Sequence, residues 1–390
     1  MSTLIKRPIT QLTIGQYVAE ISQQLGKIKV SSAGWVSDKS VIQELAAKGV
    51  VEVIVDTEKQ LDGPQQSDQL SIESEFLDVP FEDELPRAKV AVQQLVTHLQ
   101  NAFSQIRENE IFDMSQLHIA TTGFIASSYR NPSALLCVAR ATKFDDYQLG
   151  HALRTAAYYC KTFRTMMWSS ERIQGWVLGA FLHDIGKLQM KQSIQQPHLS
   201  DIDEAIRDKD SFIAPAHIEL GEAIAKKIGG LAKETLEVIQ MHHERLDGSG
   251  YPTGQKLTDI NDAIRIFTII DELDKLMNVP NKGKLLTAVQ AYQKLLKMEK
   301  QFDFALLQQI IKCIGIYPPG SLVILESRKV GIVLGHHGST VQPDIKIIYD
   351  DRLRQNLNVT VLSLSKASET DKIVGFFTRR SFPDLVEHYL

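Results

Sequence analysis

Seven histidine and aspartate residues recur through one long helical stretch of this chain, at intervals of about one helix plus its connection. In order they are His151, His183, Asp184, His217, His242, His243 and Asp271, and successive clusters lie 32, 33, 25 and 28 residues apart. Around them apolar residues keep a helical period from about Ile119 to Cys313, as in Leu149 to Met167, Arg172 to Leu182, Ile218 to Ile228, Leu231 to His243 and Ala263 to Met277. Successive helices of a bundle can then aim one ligand cluster each at a common centre. Five imidazoles and two carboxylates, without thiolates, suit iron, manganese or another first-row ion better than a structural zinc. Taken singly, His151 reads equally as a packed or surface residue of a helix, and His217, after Pro215-Ala216, as a residue opening one. Asp271 is harder to explain away. It lies in the apolar run Ile266 to Leu276, where an unpartnered carboxylate is costly to bury and a cation is the simplest partner.

The rest of the chain divides by composition. A length of 390 residues predicts two or three domains. Residues 1–56 read as a small α+β domain, with strands at Leu12 to Glu20, Lys27 to Val30 and Val50 to Val55 and a helix from Asp38 to Lys48. Residues 57–85 read as an acidic linker, with nine Asp or Glu and one Lys between Thr57 and Glu84. A connecting helix over 86–118 starts near Pro86, with Val92, Leu95, Leu99 and Phe103 on one stripe; it either packs within the chain or pairs with its twin in a homodimer. The helical domain covers 119–317, and a β-rich appendage covers 318–390, with strands at Leu322 to Leu325, Lys329 to Leu334 and Ile345 to Tyr349. His336-His337 between two of those strands reads as turn. The expected fold is therefore mainly α: a helical bundle with a small N-terminal α+β domain and a C-terminal β appendage.

Composition excludes some partners. A net charge of −4 offers no basic surplus for non-specific nucleic-acid binding. No run approaches 18 apolar residues, so no membrane span is expected. Cys137, Cys160 and Cys313 are far apart and in apolar contexts, which predicts buried thiols, a reducing compartment and a cytoplasmic location.

Residues 242 to 252, His-His-Glu-Arg-Leu-Asp-Gly-Ser-Gly-Tyr-Pro, follow His183-Asp184-Ile185-Gly186-Lys187 downstream, and together these segments resemble the HD-GYP family over roughly residues 140 to 320. The segment ahead resembles the domain of unknown function often found before HD-GYP domains. The resemblance implies a helical HD-type bundle in which His151, His183, Asp184 and Asp271 hold one metal, while His217, His242 and His243 complete a second site. Asp184 would bridge the two ions, and Lys187 would sit near the scissile phosphate. Arg154, Gly221, Arg265 and Asp274 keep the family's spacing. Some members hold a third metal through a Glu four residues before the first His; that position is Tyr147 here, so two ions are expected.

By the same resemblance the chain is a bacterial signal-transduction phosphodiesterase that cuts cyclic di-GMP to pGpG, and on to GMP, by way of a metal-bridging hydroxide. Its catalytic residues would be Asp184 and Lys187, and its candidate substrate contacts Lys187, Arg245, Asp247, Gly250, Tyr251 and Lys282. The family's Arg-Pro-Tyr segment after the last Asp is replaced by Asn278-Val279-Pro280-Asn281-Lys282-Gly283-Lys284. Residue pattern alone supports a metal-dependent phosphohydrolase, since two cations can activate a water and neutralise phosphate charge. Two alternatives stay open: a binding module for cyclic dinucleotides with weak turnover that docks signalling partner domains, and a phosphohydrolase of another nucleotide.

Overall fold

A computed structural model describes the chain except residues 1–3, 14–15, 25–33, 37–40, 43–44, 47–49, 61–77, 111, 191–212, 255, 257–259, 280–284, 337–338, 367–370, 378–385 and 387. The expected strand at Lys27 to Val30, most of the expected helix from Asp38 to Lys48, and His337 lie outside the described residues. Four strands form the N-terminal antiparallel sheet: β1 (Leu4–Pro8), β2 (Gln16–Gln24), β3 (Gly34–Trp35) and β4 (Val50–Gln60), in the order β1-β4-β2-β3. Period-two alternation in β4 sends Val53 and Val55 into a separate small core with Ile9, Leu12, Val18, Val36 and Val50. The strand expected at Leu12 to Glu20 lies further on: β2 begins at Gln16, and Leu12 packs as core beside a short 3-10 turn, Ile9–Gln11.

The acidic segment is also shorter than its composition suggested. β4 continues to Gln60, and helix α1 spans Phe81–Arg107, so it opens five residues ahead of Pro86. The reason is electrostatic. Glu82, Asp83 and Glu84 occupy the first turn, where carboxylates favour the positive end of the helix dipole. Glu84 is fully buried there, accepting from Ser127 Oγ at 2.7 Å and from Arg130 Nε and Nη2 at 2.6 and 2.8 Å. The stripe Val92, Leu95, Leu99 and Phe103 is buried in the main core, so α1 packs within the chain and the stripe is not free for a twin.

Among the described residues nine more helices follow: α2 (Met114–Arg130), α3 (Pro132–Ala141), α4 (Tyr147–Thr165), α5 (Ser170–Leu182), α6 (Ile213–Ile228), α7 (Lys233–Met241), α8 (Asp262–Asn278), α9 (Ala288–Leu296) and α10 (Phe304–Ile314). Asp113, Asn131, Asp146, Ser169, Asn261, Thr287 and Asp303 each bond a free backbone amide at a helix start. One apolar core runs from α1 to the inner strands of the C-terminal sheet. That sheet is antiparallel in the order β8-β7-β6-β5-β9, with β5 (Leu322–Leu325), β6 (Lys329–Gly335), β7 (Asp344–Asp350), β8 (Gln355–Ser363) and β9 (Ile373–Phe376). Arg140 on α3 ties it to the bundle, donating to the carbonyls of Pro318 and Pro319 and to Ser321 Oγ. No helix among the described residues is long and apolar enough to cross a membrane.

All three cysteines are free and buried, and burial pushes the Cys137 thiol up to about 12. Near two of them α4 buries Lys161, whose ammonium donates to Ser133 Oγ at 3.0 Å. Burial lowers its pKa to about 8 from an ordinary 10.5. The unfolded chain therefore binds the extra proton more tightly, so stability rises as pH climbs from about 8 towards 10.5, and below 8 the full cost is present. That cost is about 3 kcal/mol at pH 7. Lys161→Met is expected to raise the urea midpoint at pH 7 by the equivalent of about 1–3 kcal/mol and to flatten the alkaline rise. A midpoint at pH 7 equal to or below that of the wild type would contradict it.

Candidate metal centre

Two helices end at the centre of the bundle, and each ends on a histidine. His183 caps α5 and His242 caps α7, both with helical backbone angles. The last carbonyls of a helix lack intrahelical partners, and each ring supplies one: His183 Nδ1 donates to Ala180 O at 2.9 Å, and His242 Nδ1 to Val238 O at 3.0 Å. A carbonyl can only accept, so Nδ1 carries the proton and Nε2 of the neutral ring presents a bare lone pair inwards. The negative ends of both helix dipoles face the same point, which favours a cation.

The other residues close around these two rings. His151, in the second turn of α4, has Nδ1 2.8 Å from Asp274 Oδ2, and the Arg154 guanidinium forks onto the same carboxylate at 2.8 and 3.0 Å. Its Nε2 lies 3.0 Å from Asp271 Oδ1 and 3.3 Å from His183 Nε2. On the opposite side, His217 Nε2 of α6 is 3.4 Å from His242 Nε2. Asp184 faces both sides: its Oδ2 is 3.3 Å from His183 Nε2, and its Oδ1 is 3.6 and 3.5 Å from His217 and His242 Nε2. Asp184 Oδ1 is buried and has no hydrogen-bond partner among the described residues.

The donor atoms thus form two groups, Asp184-His217-His242-His243 and His151-His183-Asp271, with the atoms of each group all within 4.8 Å of one another. Ligands held about 2.1 Å from one ion in tetrahedral or octahedral geometry stand about 3.0 to 3.4 Å apart, so separations of 3.0 to 3.6 Å fit that arrangement. Lone pairs aimed at each other across such gaps repel unless positive charge lies between them. The residues present therefore fit divalent metal binding, through neutral imidazoles and ionised carboxylates.

The titration of these groups agrees. Burial holds His217 and His243 well below the ordinary imidazole range, and burial, partly offset by Asp184, brings His242 down to about 4. Burial opposes ionisation of Asp184 and Asp271, but Lys187 and His183 for the first, and Lys275 and His151 for the second, outweigh it and hold both carboxyls far below their usual range. His151 shifts the other way from these three rings. Burial disfavours its charge, yet Asp271 and Asp274 overcome burial and raise its pKa.

Around this centre Lys187 Nζ bonds Asp184 Oδ2 at 2.6 Å. The Tyr251 ring lies against His243, with centroids 4.6 Å apart, and its edge faces His217. Gly250 is required by space, since a Cβ there would meet Arg245 N at 2.4 Å and His243 O at 2.5 Å. Arg245 covers the Phe302 ring and reaches Glu272 at 3.6 Å, while the exposed Asp247 accepts from Ser249 N. Lys282 lies outside the described residues. Tyr147 stacks on His151, its ring 5.5 Å away and nearly parallel.

Three residues at the site have a role that the sequence does not show, two of them, Glu244 and Gly186, inside the motifs themselves. Lys275 bonds Asp271 Oδ2 at 2.6 Å, and its signal was its place one helical turn after Asp271. Glu244 is buried and accepts from Thr253 N and Oγ1, bracing the loop that carries Gly250. Gly186 lies in the short 3-10 segment Ile185–Gln189 and packs backbone to backbone against α6.

The HD domain family model matches residues 136–306, a span that contains all seven donor residues, and the model of a domain of unknown function, DUF3391, matches residues 4–117. A cyclic di-GMP phosphodiesterase of Pseudomonas aeruginosa is 26% identical over 386 residues, covering 96% of this chain and 92% of that protein. A 3'3'-cGAMP-specific phosphodiesterase of Vibrio cholerae is 35% identical over 132 residues, 33% of this chain and 27% of that protein. Among solved structures, a HDG"Y"P protein from Bdellovibrio bacteriovorus aligns over 80% of this chain and 99% of its own at 15% identity, with a TM-score of 0.49. The chain thus carries an HD domain behind a DUF3391 domain, and both the His-Asp and the His-His-Glu segments lie within the HD match.

Proposed function

We propose that the protein is a metal-dependent phosphodiesterase that hydrolyses cyclic di-GMP to pGpG and then to GMP. The observation that carries the reading is the Asp184 carboxylate, whose two oxygens face separate groups of imidazole nitrogens with aligned lone pairs. In this reading His151, His183, Asp184 and Asp271 hold one ion and His217, His242, His243 and Asp184 the other. The donor set favours iron or manganese. When bound, two such ions lower the pKa of a shared water and neutralise charge on the diester.

The chain's own residues do the remaining work. Asp274 and Arg154 fix the His151 ring, as an outer carboxylate does for a metal-ligating histidine. Lys187 stands at the mouth of the centre with an ammonium available to the scissile phosphate. Tyr251 offers a ring face and a phenol beside His243, suited to a guanine base or its phosphate. Three buried free thiols accord with a cytoplasmic setting.

A second substrate has support from the Vibrio cholerae relatives that carry the 3'3'-cGAMP name, at 35% and 31% identity over about a third of the chain. The test is direct. Protein prepared anaerobically with Fe(II) or Mn(II) is expected to convert cyclic di-GMP to pGpG and GMP, followed by chromatography, faster than it converts 3'3'-cGAMP. Tight binding without product would reduce the protein to a binding module, and cleavage of 3'3'-cGAMP alone would replace the substrate.

A further inference from the structure

Lys275 is placed as few lysines are. It lies one turn after Asp271 on α8, and its ammonium bonds Asp271 Oδ2 at 2.6 Å, while Oδ1 of the same carboxylate faces His151 and His183. Lys187 makes the matching contact at 2.6 Å with Oδ2 of Asp184. Both lysine side chains open further to solvent than the residues they bond: 23% for Lys275 against 0% for Asp271, and 13% for Lys187 against 7% for Asp184. The two ammoniums therefore stand on the outer rim of the carboxylates, one on each. The two lysine-bound carboxylates approach the same ring: His183 Nε2 lies 3.6 Å from Asp271 Oδ1 and 3.3 Å from Asp184 Oδ2.

Such a lysine makes little sense as a support for the centre alone. Two divalent ions against the carboxylates of Asp184 and Asp271 leave an excess of positive charge, and an ammonium beside them lowers metal affinity. With both ions bound, an anion arriving from solvent offsets that excess. A phosphodiester carries such a charge, and the segment following α8 lacks an arginine to meet it. We propose that Lys275 is a phosphate-binding residue, the partner of Lys187 in a two-lysine clamp on the substrate's phosphates. This rests on the phosphodiesterase reading and names a residue that carries substrate affinity within it. Lysine suits the task as a compact point charge on a flexible stem, able to leave Asp271 for the incoming oxygen.

The experiment compares wild type, Lys275→Met and Lys275→Arg in the full chain loaded with Mn(II). Bound metal is measured by elemental analysis, and the dissociation constant of a hydrolysis-resistant phosphorothioate analogue of cyclic di-GMP by calorimetry. The methionine variant is expected to keep or gain metal and to bind the analogue at least tenfold more weakly. Its loss should fall on KM more than on kcat, and the arginine variant should restore part of the affinity. Loss of metal in Lys275→Met with unaltered affinity per loaded site would make the residue a structural one and overturn the proposal, as would unchanged affinity and KM. If the wild type neither binds nor cleaves the dinucleotide, the function reading fails. The same comparison with inorganic phosphate then decides Lys275 by itself: tenfold weaker binding supports the clamp and equal binding rejects it.

Discussion

Asp184→Asn is expected to lower kcat/KM for cyclic di-GMP by about three orders of magnitude or more and to drop bound metal from two ions to at most one. The substitution is nearly isosteric, so its effect isolates charge and donor number. An amide has one acceptor oxygen where the carboxylate has two, and its NH2 group would point at either His183 or the His217-His242 pair. Two-metal stabilisation of a phosphoryl transition state is worth several kcal/mol, and each 1.36 kcal/mol is tenfold in rate, which sets the estimate. Lys187 also loses its partner at 2.6 Å and is left half-buried beside a neutral group. Elemental analysis with a product assay checks both halves. Two ions bound per chain in Asp184→Asn would show that the carboxylate does not join the two donor groups.

That the seven donor residues could be picked out at all follows from the way helices advance. A helix and its connection consume a fairly constant length, so residues about 30 apart in a bundle return to the same level, and His151, His183, His217, His242 and Asp271 do converge. Strand β5 was legible to the residue because it is an unbroken apolar run whose side chains alternate between a half-buried and a buried face. β8 was not: it is an edge strand with most of its residues exposed, and Leu357, Val359 and Val361 alternate with polar residues without marking a buried face. The start of α1 was hidden for a different reason. Its acidic first turn has the composition of a solvated linker, and only Arg130, 46 residues away, shows that Glu84 is a buried partner. Lys275 was passed over because a lysine near a helix end normally faces water. What decides otherwise is the position of the Asp271 carboxylate in three dimensions.

Gly186→Ala should be the most damaging single-methyl change in the protein. An ideal Cβ at Gly186 would lie 1.9 Å from the carbonyl oxygen of His217 and 2.7 Å from the amide nitrogen of Gly221, both backbone atoms of α6. No rotamer relieves such a clash; either the 3-10 segment or the helix must retreat by roughly 1 Å or more to restore van der Waals contact. The segment is pinned between Asp184 and the core residues Ile185 and Leu188, so α6 is the element that gives way, and it carries His217 with it. Displacing a reacting group by about 1 Å costs on the order of 10²-fold in rate, and overpacking costs about 1–3 kcal/mol in stability. The expected variant folds with a lowered Tm, retains the ion held by His151, His183, Asp184 and Asp271, and binds the second weakly. Gly123→Ala on α2 is the control, because its Cβ would meet nothing within 4 Å and alanine favours a helix interior. Equal metal content and turnover in Gly186→Ala and Gly123→Ala would mean that the close approach of Gly186 to α6 does not set the position of His217.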